Sequence, residues 1–183
     1  MIPLLLQESP FLELSQSKQI DHFETQKFNK WWHYLIAGFP VISTTVIFFL
    51  VQSGIVQTKN NQKEPLFFIL TISFLILAFI WFLYLKLETT ITEKGILTTF
   101  RGIPFAKKNI EWNEIQSISV IKYSPLTDYG GWGVRYSVSG NGWCYNVSGN
   151  YGIKLIRANG KPFLIGTQQQ DEAEKIINHY FKK

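Results

Sequence analysis

The chain has 183 residues, of which 46% are hydrophobic, 16% aromatic and 17% charged, with a formal net charge of +5. A soluble domain carries about a quarter charged residues, so the charge here is diluted, and the dilution proves to be local. The single cysteine, Cys144, excludes an intrachain disulfide and fits a reducing compartment, while His22, His33 and His179 lack any metal-ligand spacing.

Residues 1–30 open the chain. The start, MIPLLLQESP, has no basic residues ahead of its short apolar stretch, which is unlike a signal peptide. Gln19–Lys30 reads as a helix, with Phe23, Lys27 and Lys30 at helical spacing. It is expected to lie along the membrane interface or to extend the segment that follows.

Two runs then carry no charged side chain at all, residues 34–56 and 65–85. Crossing a hydrocarbon core of ~30 Å takes ~20 apolar residues in a helix, so each is long enough. A soluble domain this small could not cover two helices that are apolar all round. Gly38 and Pro40 in the first run are tolerated in transmembrane helices. Trp31, Trp32 and Tyr34 at one end, with Trp81, Tyr84 and Lys86 at the other, suit interfacial anchors on one side of a hairpin. The connecting loop holds Lys59 and Lys63. The outer flanks hold more cations (Lys18, Lys27 and Lys30, then Lys86, Lys94, Arg101, Lys107 and Lys108), which predicts both termini on the cytoplasmic side of an inner membrane.

From residue 87 the pattern becomes β-like. LETTIT (87–92) and ILTTFR (96–101) form a predicted hairpin, and EIQSISVIKY (114–123) a strand. WGVRYSV (132–138) and WCYNV (143–147) are joined by Ser-Gly-Asn-Gly, and GIKLIRA (152–158) and KPFLIG (161–166) by Asn159-Gly160, a strong hairpin signal. A helix over 168–181 follows, capped by Thr167, with Ala173, Ile176, Ile177, Tyr180 and Phe181 in one apolar stripe. The fold class is therefore an α+β membrane protein. Residues 1–30 form a cytoplasmic or interfacial segment, 31–86 a transmembrane helical hairpin, and 87–183 a mostly antiparallel β domain closed by a C-terminal helix. About seven strands and one helix suit a half-open barrel of the pleckstrin-homology (PH) type, among other small barrels.

The motif order sharpens this. Leu87–Ile96 and Asn109–Ile118 resemble bacterial PH-like domains attached to membrane hairpins. Tyr123–Arg135, Tyr145–Gly152 and Leu164–Gln168 resemble the signature of a narrower, uncharacterised group of two-span prokaryotic proteins, over about residues 24–180. The resemblance implies a PH-like fold and no established activity. By analogy, such domains bind lipid headgroups or peptides, or hold assemblies together.

The most unusual stretch is Asp128–Arg135. Tyr129, Gly130, Gly131, Trp132, Gly133 and Arg135 are candidates for binding a ligand or partner, because glycines bring backbone amides close to an anion. The competing reading is a bulged strand with Trp132 packed over a turn. It is not a P-loop, since no Lys-Ser/Thr follows. Turn chemistry accounts for Gly140, Gly142, Gly149 and Gly152. Trp112, Trp143, Tyr145 and Tyr151 read as core or interface aromatics. The sequon Asn146-Val147-Ser148 carries no weight on an inward-facing domain.

The +5 charge falls entirely within residues 65–183. Lys107, Lys108 and Lys122 are candidates to face anionic lipid, as are Arg135, Lys154, Arg157 and Lys161. No dense basic run or recognition motif points to nucleic acid. Cys144 has no nucleophile motif, Glu111 and Glu114 sit at a surface strand entry, and neither span carries a charge that would mark an ion path. No catalytic residues, metal ligands or cofactors are expected. The function expected is a non-catalytic adaptor or scaffold, docking a protein partner or anionic lipid at the inner leaflet. The alternative is an accessory or assembly subunit of a larger membrane complex, or a homo-oligomer.

Overall fold

A computed structural model describes residues 20–56 and 64–181. The readings made on residues 1–19, on Lys59 and Lys63, and on Lys182 and Lys183 lie outside the described residues. The chain divides into two compact units. Of the described residues, one holds 28–56 and 64–85, and the other holds 20–27 together with 86–181.

The first unit is a pair of helices, α1 (Trp31–Gln52) and α2 (Glu64–Tyr84). Both are long and apolar enough to cross a membrane, and none of their most apolar window is buried. At 1.5 Å per residue, α1 is roughly 33 Å long. The uncharged run extends to Val56, but the helix stops earlier. Ser53 caps it by donating its N–H to the Phe49 carbonyl at 2.9 Å, and Gly54 takes a φ of 75° that reverses the chain. Pro40 lies inside α1. The helices touch through Phe48 and Phe68, with ring centroids 5.6 Å apart, and Gly38 leaves room for Phe79. Their other faces are bare. Phe39 and Phe74 are nearly 70% exposed, at 68% and 69%.

The second unit holds two sheets. Strands β1 (Ile20–Lys27), β2 (Lys86–Thr92), β3 (Gly95–Arg101) and β4 (Lys107–Glu111) form an antiparallel meander in that order. The hairpin expected over 87–101 is present as β2–β3. The second sheet contains β5 (Ile115–Lys122), β6 (Gly133–Tyr136), β7 (Trp143–Asn146), β8 (Tyr151–Arg157) and β9 (Pro162–Thr167), in the order β5-β8-β9-β7-β6. Both hairpins expected there, β6–β7 and β8–β9, are formed. β7 and β9 run parallel, so the second sheet is mixed within a mostly antiparallel domain. No closed barrel is formed among the described residues. A short helix, α3 (Pro125–Tyr129), follows β5, and α4 (Gln170–Tyr180) ends the chain.

The largest correction concerns residues 19–30. From Ile20 to Lys27 the chain is a strand, and it pairs with β2, placing Lys27 opposite Lys86. The helical hairpin is therefore inserted between two neighbouring strands of one sheet. The helix reading failed because the inward face of β1 is polar: His22, Glu24 and Gln26 are buried while Phe23, Thr25 and Lys27 point out. These polar groups find partners on the second sheet. Glu24 Oε2 accepts from Thr167 Oγ1 and its Oε1 from the Gln168 N–H, both at 2.7 Å. Gln26 Nε2 donates to the Gly166 carbonyl at 2.6 Å. His22 Nε2 lies 3.8 Å from Glu24, and its Nδ1 3.5 Å from Glu172 of α4.

α4 is fixed by its stripe, with Ala173 and Ile177 buried. Trp112 stacks on Tyr180 at 5.8 Å and donates its indole N–H to the Thr92 carbonyl at 3.0 Å. Thr167 does not occupy the cap position. Gln169 does, and Thr167 Oγ1, two residues earlier, accepts the Gln169 N–H at 3.1 Å. Gly152 is no turn residue. It lies within β8, where a Cβ would come 2.8 Å from Leu164 Cδ2.

Candidate functional site

The glycine-rich stretch folds as α3 and the turn after it, and its polar groups are used within the chain. Gly130 ends α3 in the left-handed region at φ 71° and donates its N–H to the Leu126 carbonyl at 3.0 Å. The Gly131 N–H goes to the Pro125 carbonyl at 2.8 Å, and the Gly133 N–H to Asn146 Oδ1 at 2.9 Å. Asn146 is fully buried, and its Nδ2 donates to the Tyr123 hydroxyl at 2.9 Å. That burial gives the Asn146 sequon a structural explanation. Arg135 is exposed but turns its Nε onto the Trp132 carbonyl at 2.9 Å. Tyr129 is buried and donates to the Asn141 carbonyl at 3.3 Å. Three of the amides that could have cradled an anion are thus already committed.

Tyr129 packs with Tyr123, Cys144 and Leu164 in a small core. Burial, and then the neighbouring Cys144, push the Tyr129 phenol up to about 12. Burial likewise pushes the Cys144 thiol far above its ordinary range, so it stays protonated and is a core residue. Tyr145 lies between Phe100 and Phe163 in the interior, as expected of a core aromatic. Glu111 and Glu114 are engaged with each other, the Glu114 carboxylate accepting the Glu111 N–H at 3.1 Å. Among the described residues no group of histidine, cysteine and acidic side chains could hold a metal ion.

The basic candidates separate. Lys122 ends β5, whereas Lys107 and Lys108 begin β4, the edge strand of the first sheet. Lys108 is brought beside Arg157, at the end of β8, and Lys161, in the β8–β9 turn. Together with Ile110, Trp143 and Phe163 they line a groove of about 240 Å³. Among the described residues no acidic side chain lines it, and none of the three cations is held in an ion pair. Arg157 also borders a second, more open depression of about 430 Å³, lined by Asn113 and Glu114. Trp143 is 49% exposed with one face against Tyr136, leaving an aromatic surface beside the cations. Uncompensated like charges over an apolar floor attract an anion, and the volume is below the ~300–1,000 Å³ of sites for drug-sized ligands. A single anionic group or side chain fits it. Sequence reasoning had all three cations on a list of seven but no means of grouping them, because they come from two sheets.

Compared with protein-family models and with curated proteins, the chain matches none.

Proposed function

We propose that this protein is a non-catalytic membrane-anchored adaptor, whose sheet domain docks an anionic partner, protein or lipid, at the inner leaflet. The observation that carries the reading is the groove of Lys108, Arg157 and Lys161, where three unpaired cations meet an exposed tryptophan.

Connectivity supports the anchoring. The two apolar helices leave and rejoin the sheet at paired residues, Lys27 and Lys86, so a crossing hairpin keeps the sheet domain wholly on one side. The excess of flanking cations supports a cytoplasmic location for that side. The PH-like reading draws support from a four-stranded meander, the β5-β8-β9 antiparallel set and the closing helix, with α3, β6 and β7 as an insertion. A family of two-span proteins with PH-like domains remains the assignment we favour.

The test is co-purification of the full chain from native membranes in mild detergent, beside a variant carrying Lys108→Glu, Arg157→Glu and Lys161→Glu. Loss of a bound protein or of a co-purifying anionic lipid from the variant alone is the expected result. Equal recovery of every associated species from both would remove the groove as the docking site.

A further inference from the structure

The turn between β3 and β4, residues 102–106, contains a side chain that the fold does not use. Phe105 is 98% exposed and has a φ of 64°, the one positive value outside glycine among the described residues. Bulky residues rarely adopt that conformation, and where they do the surroundings hold them there. Here the turn is closed by its own hydrogen bonds. The Phe100 N–H donates to the Ala106 carbonyl at 2.7 Å, and the Ala106 N–H to the Ile103 carbonyl at 3.3 Å. Phe105 is therefore presented outward by a braced turn, with exposed Pro104 beside it.

Its neighbours are cationic. Lys107 and Lys108 follow on β4 and are exposed, and Arg101 precedes the turn opposite Lys86, which in turn lies opposite Lys27. The one carboxylate among these residues, Glu88, is buried and is held by Lys86 at 2.7 Å and Arg101 at 2.6 Å. The end of the sheet that carries this turn thus holds five cations and one neutralised acid. Lys86 is also only two residues past the end of α2 at Tyr84, a covalent reach of at most about 7 Å.

We propose that the β3–β4 turn is a membrane-inserting loop: Phe105 enters the interfacial zone of the bilayer that anchors the chain, and Lys107 and Lys108 meet anionic headgroups above it. This rests on the reading that α1 and α2 cross that bilayer. An exposed aromatic tip followed by two exposed lysines, on a strand two residues downstream of a membrane helix by way of its paired neighbour, matches what an anionic lipid surface binds, through apolar burial and charge together.

The test uses the full chain in nanodiscs of zwitterionic and anionic lipid, with Cys144→Ala and one nitroxide-labelled cysteine. Labels at Phe105→Cys, at Phe74→Cys in the second span and at Leu126→Cys on α3 are compared for collision with oxygen and with a water-soluble nickel complex. Insertion into the interfacial zone predicts nickel accessibility at position 105 reduced severalfold against position 126, and intermediate between 126 and the mid-span position 74. Adding Lys107→Glu and Lys108→Glu should restore nickel access at 105 in anionic discs. Position 105 exposed to nickel while 74 is shielded overturns the proposal and leaves the anchoring intact. Position 105 shielded from both reagents also overturns it, since protein rather than lipid then covers the tip. Nickel access at both 74 and 105 overturns the anchoring itself.

Discussion

The glycine-rich turn and the basic groove are built from comparable materials and end in opposite conditions. In the turn, Gly130, Gly131 and Gly133 give their amides to Leu126, Pro125 and Asn146, and Arg135 folds onto the Trp132 carbonyl. In the groove, Lys108, Arg157 and Lys161 share a surface, and none of them is held in an ion pair among the described residues. A conspicuous motif whose polar groups are satisfied at home has little left for a ligand, whereas ordinary lysines left uncompensated do. The contrast separates a residue set that maintains the fold from one that the fold leaves free.

Breaking the turn should cost the most. Asn146→Ala strands the Gly133 N–H and the Tyr123 hydroxyl in the interior, a loss of roughly 3 kcal/mol, read as a lowered unfolding midpoint of the full chain in detergent. If that variant unfolds at the wild-type midpoint, the turn is not held as described. Next comes the groove. Replacing Lys108, Arg157 and Lys161 by Gln should weaken anion binding by about 3 kcal/mol, near a hundredfold, at about 1 kcal/mol per charge, while leaving stability almost unchanged. A stability loss equal to that of Asn146→Ala would erase the distinction between the two regions.

A smaller effect lies in the staple that joins β1 to the second sheet. The carboxylate of Glu24 raises the His22 pKa against the opposing pull of burial, and Glu172 adds to the rise. A raised folded-state value stabilises the protein fully below the unfolded value of 6.5, and that contribution is lost as the pH climbs through the folded value. Denaturant midpoints should therefore fall as the pH rises above 6.5 in the wild type, and the fall should shrink in His22→Gln. A midpoint that rises with pH in the wild type alone would reverse the assignment. Smallest of all is Arg135→Ala. Exposed and bonded once to a neighbouring carbonyl, Arg135 should contribute under about 1 kcal/mol and nothing to anion binding. A clear binding defect there would return the turn to the role of a site.

Features that depend on short-range pattern were legible along the chain. Two uncharged runs of sufficient length gave α1 and α2, β-branched segments beside Asn159-Gly160 and Ser139–Gly142 gave the hairpins, and one apolar stripe gave α4. Only the tertiary structure decided that residues 20–27 are a strand, because their partner β2 comes after both helices and their buried face is made of His22, Glu24 and Gln26. A polar inward face has no hydrophobic alternation to betray it, and it becomes stable only when Thr167, Gln168 and Gly166 arrive to satisfy it. The groove was hidden for the same reason: Lys108 and Lys161 meet through the packing of two sheets, a long-range event that leaves no local mark on either lysine.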